Sequence, residues 1–156
     1  MPDPAAHLAE LVSSTRKGAK YHSVCEELIR NIGARELAKG RSKKAAIKAT
    51  RGTLHQVGGA YFGNGIDYAA GLEELREAAR SADPAPWRRA CAALMSRHAS
   101  TRERLPILDR FYETILADLA PVRSVLDVAC GLNPLAIPWM PLAPDAEYYA
   151  CDVYED

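Results

Sequence analysis

Up to about residue 119 the apolar positions recur at helical spacing; beyond it they run together in short blocks. Asp3-Pro4 is a helix start, with Leu8, Leu11 and Val12 on the following stripe. Ser23-Val-Cys-Glu26 has the form of a capping box, and Val24, Leu28 and Ile32 follow every four residues. Gly40 is placed to end that helix. Ser42 then caps a third helix carrying Ala46, Ile47, Thr50, Leu54 and Val57. Gly58-Gly59 and Gly63-Asn-Gly65 mark the next loop. Asp67 opens a helix with Tyr68, Leu72, Leu75 and Ala79 aligned. Asp83-Pro84-Ala-Pro86 breaks the chain before a helix with Trp87, Cys91, Leu94 and His98 on one face. Ser100-Thr-Arg-Glu103 is a second capping box, predicting a helix with Leu108, Tyr112, Ile115 and Leu119 along one side. Pro121 closes the helical region.

The pattern then changes. Val122-Arg-Ser-Val-Leu-Asp-Val128 is short and β-branched and predicts a buried strand. It leads into Ala129-Cys-Gly-Leu-Asn-Pro-Leu-Ala136, small residues followed by a helix-forming run, where a ligand could approach the backbone. Glu147-Tyr-Tyr-Ala-Cys-Asp152 predicts a second strand ending in a carboxylate. An acid at that point can accept both hydroxyl protons of a ribose, as in Rossmann-like nucleotide sites. Only Gly131 is a glycine, so the dinucleotide fingerprint fails, and an ordinary α/β turn is an equal reading of this segment.

Composition adds one asymmetry. The 156 residues are 48% hydrophobic and 26% charged, a globular mix, and 20 Lys/Arg balance 20 Asp/Glu. Residues 1–56 nonetheless hold 11 Lys/Arg against 5 Asp/Glu, and no lysine follows Lys48. The basic half suggests an arm that meets a polyanion. Lys44, Lys48, Arg51 and His55 fall on one helical stripe, with Lys39, Arg41 and Lys43 nearby. Such a ridge can neutralise several phosphates, giving salt-dependent affinity. A solvated helix face is the plainer reading, but acidic residues are absent from residues 37–66.

Other classes are disfavoured. The least charged stretch, Val125–Pro144, contains four prolines and predicts no membrane span. No signal peptide is visible at the start. Cys25, Cys91, Cys130 and Cys151 are too dispersed for a zinc site of close Cys pairs, and too few for a disulfide scaffold. A reduced, cytoplasmic setting without metal is expected. The four histidines are scattered, and none is assigned acid–base work.

Asp127-Val-Ala-Cys-Gly-Leu-Asn-Pro-Leu-Ala136 resembles the S-adenosylmethionine motif of the aminoglycoside-resistance 16S rRNA methyltransferases, which modify N7 of guanine 1405 in the decoding site. His98-Ala-Ser-Thr-Arg-Glu-Arg-Leu105 is similar to that family's segment before the core domain. Thr50-Arg-Gly-Thr-Leu-His55, followed by Gly59-Ala-Tyr61, is similar to its basic helix and turn. Lys20-Tyr21 and Asp109-Arg-Phe-Tyr112 also fit, so the resemblance runs along nearly the whole chain.

The resemblance implies an α-helical N-terminal domain, residues 1–120, that binds rRNA and the 30S subunit. The start of an α/β Rossmann-like methyltransferase domain, residues 121–156, would follow it. Ala129 and Gly131 would lie against S-adenosylmethionine, Asp152 would bind its ribose, and Arg104 would pair with its carboxylate, a match for a planar guanidinium. Lys44, Lys48, Arg51 and His55 would be phosphate contacts. Arg104 could instead bridge to an acidic neighbour. Asp127 could be a strand-end carboxylate satisfied by backbone amides. Asn133-Pro134 reads as turn chemistry.

Guanine N7 carries a lone pair and no proton, so attack on a sulfonium methyl needs no general base. In-line placement then carries the catalysis, and no catalytic side chain is assigned. Only two strands are predicted where a methyltransferase sheet resembles a seven-stranded one, so the chain reads as an N-terminal fragment, inactive alone. A non-catalytic RNA- or ribosome-binding module is the alternative; a small-molecule methyltransferase ranks below both because it leaves the basic helix without a purpose.

Overall fold

A computed structural model describes residues 3–58 and 66–155. Gly59, Tyr61 and the Gly63-Asn-Gly65 loop lie outside the described residues. The contacts separate two compact units, one from residues 3–58 with 153–155, the other from residues 66–152. The helices after residue 66 group with the strands.

The first unit is three helices, α1 (Pro4–Arg16), α2 (Glu26–Ala38) and α3 (Lys43–Gly58). Val12, Val24, Ile29, Ile32 and Leu54 form its core, with Leu8, Leu28 and Tyr21 packed around it. Asp3 caps α1 by accepting the Ala5 amide at 3.0 Å. Gly40, at φ +70°, supplies the left-handed residue after α2. Val57 is 57% exposed and does not join the predicted stripe of α3.

The first predicted capping box does not form. Helix α2 starts at Glu26, and its N-cap Cys25 makes no side-chain cap bond. Glu155, 129 residues away, accepts the Glu26 amide at 3.1 Å through Oε1 and takes Arg16 Nη2 at 2.8 Å through Oε2. The Glu155 amide donates to Ser23 O, and the Cys25 amide donates to Val153 O. Val24 and Tyr154 close an antiparallel bridge between these segments. Ser23 is therefore spent as a backbone acceptor, and the cap comes from the far end of the chain.

The second unit contains α4 (Tyr68–Ala78), α5 (Pro84–Met95), the short α6 (Ala99–Arg102), α7 (Leu108–Ile115) and two strands. Asp67 and Asp83 cap α4 and α5 through the Ala70 and Ala85 amides, each at 2.9 Å. Gly71, rather than the predicted Tyr68 and Leu72, is the buried position of α4, because Leu94 fills the space beside it. The helix predicted from the second capping box is broken: Pro106 has no amide hydrogen and its ring crowds the preceding turn. A 3-10 turn, Leu105–Ile107, separates α6 from α7. Met95, Leu108, Tyr112 and Ala136 are the core of this unit, whereas Ile115 and Leu119 are 55% and 68% exposed.

Strands β1 (Val122–Val128) and β2 (Leu142–Cys151) pair in parallel, with Asp127 opposite Ala150 and Val128 opposite Cys151. A 3-10 segment, Asn133–Trp139, crosses between them instead of the expected helix. Pro134 and Pro138 deny it two amide donors, so an α-helical ladder cannot propagate. The fold is mostly helical with a two-stranded parallel sheet near its end. Val125, Asp127 and Tyr148 are half-buried; Leu126, Val128 and Tyr149 stand 70%, 67% and 54% exposed.

Candidate cofactor site and basic helix face

The turn leaving β1 is the sharpest backbone feature of the second unit. Ala129 has φ +56° and Gly131 φ +49°. A side chain in this left-handed region costs about 1–2 kcal/mol, and an observed outlier of this kind marks a place held by its surroundings. Two hydrogen bonds hold it: the Cys130 amide donates to Cys151 O at 3.1 Å, and the Gly131 amide donates to Asp152 Oδ2 at 2.7 Å. The acid at the end of β2 thus meets the small-residue turn after β1. A Cβ on Gly131 would sit 3.6 Å from His98 Cε1, an ordinary contact, so its φ rather than crowding favours glycine. His98 is buried, its ring bonded to Ser100 Oγ at 2.8 Å. Burial, partly opposed by the Asp152 charge, lowers its pKa and favours the neutral ring.

Arg104 lies just after α6. Its Nε donates to Ser100 O at 3.3 Å, and its Nη1 donates to Asn133 Oδ1 at 2.8 Å and to Tyr112 Oη at 3.3 Å. Among the described residues it pairs with no carboxylate, and Nη2 donates to nothing. The Tyr112 hydroxyl also donates to Asn133 Oδ1, at 2.5 Å. Burial raises the Tyr112 pKa against the pull of Arg104, keeping the phenol protonated.

Asp127 is held by side chains and not by backbone amides. Asn133 Nδ2 donates to Asp127 Oδ2 at 2.7 Å, and Tyr148 Oη donates to the same oxygen at 2.5 Å. Burial and this carboxylate push the Tyr148 pKa far up. The network therefore runs Tyr148, Asp127, Asn133, then Arg104 and Tyr112. Sequence reading missed Asn133 and Tyr148. Strand parity was the available signal for Tyr148, since it shares a face with Asp127. Asn133 reached the network only because the turn folds back towards Arg104.

The helical unit places the basic residues differently. Lys44, Lys48 and His55 are exposed on α3, and the two lysines form no ion pair among the described residues. Arg51 turns inward: its Nη2 donates to Ser14 O at 2.6 Å and its guanidinium lies 6.0 Å from the centre of the Tyr21 ring. Lys43 pairs with Glu10, and Lys39 and Arg41 pair with Glu36. Glu10 of α1 and Glu36 at the end of α2 supply these acidic partners. The exposed ridge is narrower than the stripe suggested.

No group of three His, Cys, Asp or Glu among the described residues could hold a metal, and all four cysteines are free thiols. No helix among the described residues is long and apolar enough to cross a membrane.

A parallel strand pair joined through a left-handed turn, with an acid closing on that turn, has the layout of the start of a Rossmann-like fold. Residues 17–156 match the family described as ribosomal RNA methyltransferase (FmrO), and the chain belongs to that family. The 16S rRNA (guanine(1405)-N(7))-methyltransferase of Micromonospora echinospora is 35% identical over 152 residues, which are 96% of this chain and 56% of the relative. The enzyme of the same description from Serratia marcescens is 33% identical over 149 residues, 96% of this chain and 53% of the relative. Among solved structures, the 16S rRNA methylase RmtB matches with a TM-score of 0.69 at 30% identity, over 95% of this chain and 55% of that one. The 16S rRNA methyltransferase RmtF, in complex with S-adenosyl-L-homocysteine, matches with a TM-score of 0.64 at 31% identity, over 99% of this chain and 55% of that one. The chain spans about half the length of the curated relatives it matches.

Proposed function

We propose that the chain serves a 16S rRNA (guanine(1405)-N(7))-methyltransferase that uses S-adenosylmethionine on the 30S subunit in the cytoplasm and confers aminoglycoside resistance. Within it, residues 1–120 bind rRNA and residues 121–156 begin the cofactor domain. The observation that carries this reading is a guanidinium with an uncommitted nitrogen, anchored to the turn that closes on Asp152. The residues fit the cofactor. Arg104 offers Nη2 to a carboxylate, the left-handed backbone at Ala129 and Gly131 lets a ligand lie close, and Asp152 supplies a hydroxyl acceptor. When bound, S-adenosylmethionine supplies the electrophilic methyl group. The protein's part is placement: Arg104 and Asp152 orient the two ends of the ligand, and Lys44, Lys48 and His55 meet phosphates. Arg51, on the same stripe in the sequence, acts in this reading by bracing α3 against α1.

The test is incubation of the protein with 30S subunits and methyl-labelled S-adenosylmethionine, followed by mapping of N7-methylguanine in 16S rRNA. Label at position 1405 supports the proposal. Label in a small molecule but not in subunits overturns it. The exposed Lys44 and Lys48, free of ion pairs among the described residues, also suit a second reading, a ribosome-binding module without transferase activity. That reading predicts salt-sensitive subunit binding with no label transferred.

A further inference from the structure

Asn133 joins an acid to a base without letting them touch. Its Nδ2 donates to Asp127 Oδ2 at 2.7 Å, and its Oδ1 accepts from Arg104 Nη1 at 2.8 Å and from Tyr112 Oη at 2.5 Å. Only one orientation of the amide satisfies this set, because Oδ1 faces two donors and Nδ2 faces a carboxylate. Tyr148 Oη donates to the same Asp127 oxygen from the other side, at 2.5 Å. Arg104 is consequently fixed by neutral groups: an amide oxygen, a phenol, the Ser100 carbonyl and the Phe111 ring, whose centre is 5.8 Å from the guanidinium. An aspartate in contact with the guanidinium would fix it equally well, but would also neutralise it.

We propose that Asn133 is a positioning residue that aims the Arg104 guanidinium while keeping its charge unspent, so that the site selects ligands carrying a carboxylate. Asp127 acts one step behind, holding the amide in the orientation that turns its oxygen to Arg104. The inference rests on the reading that Arg104 receives the carboxylate of S-adenosylmethionine. An amide is required because a single planar group must donate on one side and accept on the other.

The experiment exchanges the two residues, Asp127→Asn with Asn133→Asp, in the full chain. The bonds of residue 133 to Arg104 and Tyr112 and its contact with residue 127 each keep a donor and an acceptor, Tyr148 Oη turns from donating to accepting at residue 127, and the charge moves next to Arg104. Calorimetric titration with two probes reads the result: S-adenosyl-L-homocysteine, which carries the carboxylate, and 5′-methylthioadenosine, which lacks it. The exchanged protein is expected to bind S-adenosyl-L-homocysteine about tenfold or more weakly, the scale of a lost charge-assisted pair, with methylthioadenosine affinity kept within about twofold and the thermal midpoint near that of the wild type. Arg104→Gln is expected to show the same split. Loss of S-adenosyl-L-homocysteine affinity in Arg104→Gln but not in the exchanged protein overturns the inference and leaves the Arg104 reading standing. Equal loss of both probes in the exchanged protein marks general distortion and also overturns it. An Arg104→Gln protein that still prefers the carboxylate probe, or a wild type that binds neither probe, overturns the Arg104 reading and the inference with it.

Discussion

The three-helix unit and the parallel strand pair draw on similar apolar residues and dispose of them in opposite ways. In the helical unit Val24, Ile29 and Leu54 are at most 1% exposed, and charge is kept outside in pairs such as Lys43 with Glu10. In the strand pair Val125 is half-buried, while its neighbours Leu126 and Val128 are 70% and 67% exposed. The difference follows from how each element satisfies itself. A helix closes its backbone hydrogen bonds internally, so three helices need only pool their apolar stripes. A strand leaves an edge and two faces to be covered by others. Position along a strand therefore decides burial far more than residue type does.

The comparison breaks if burial does not govern stability. Leu54→Ala is expected to cost about 2–5 kcal/mol in urea unfolding, the usual range for emptying a packed leucine site. Leu126→Ala should stay within about 0.5 kcal/mol, because its side chain leaves little apolar contact behind. Equal losses would show that the strand face is covered in solution.

Binding sharpens the contrast between the exposed and inward parts of α3. Lys44→Glu and Lys48→Glu should each weaken 30S binding and lower the slope of log affinity against log salt by roughly one. Arg51→Ala should chiefly lower the unfolding midpoint, through the lost bond to Ser14 O. A salt slope that falls as far for Arg51→Ala as for the lysines would return Arg51 to the ridge.

The cap of α2 provides a smaller effect. Glu155→Ala should cost about 1 kcal/mol in denaturant unfolding, a typical capping loss. Ser23→Ala should cost almost nothing, since only the Ser23 backbone carbonyl takes part. The reverse ranking would reinstate the local capping box.

The smallest effect is a pH slope. Burial lowers the His98 pKa below its ordinary 6.5. The neutral ring is the folded form, so its contribution is fully present above pH 6.5 and is lost as pH falls through the folded pKa. His98→Gln should flatten that part of the stability-versus-pH curve measured by thermal unfolding. An unchanged curve would remove His98 from the account.

Much of the helical region was legible because its signals are local. Asp3, Asp67 and Asp83 announce α1, α4 and α5 from within three residues of the amides they cap. Both serine capping boxes failed, the first for a tertiary reason and the second for a local one. The first lost its place to Glu155, and the second was cut by Pro106. Around the candidate site, Gly131 and Asp152 were visible as a strand-end turn and a strand-end acid. Asn133 looked like turn chemistry because its side-chain partners lie 6, 15, 21 and 29 positions away.

By itself the sequence determined where α1, α4 and α5 start, where the pattern switches to strands, that small residues make the turn after β1, and how the charge is sorted along the chain. These depend on backbone preferences and periodicity, which act over a few residues. Only the tertiary structure decided that Glu155 caps α2, that Arg51 points inward while Lys44 and Lys48 stay free of ion pairs among the described residues, and that a neutral amide stands between Asp127 and Arg104. Each of those outcomes is a hydrogen bond or ion pair between groups far apart in the chain. Their energies exist only once packing has brought the groups within about 3 Å of one another, at defined angles.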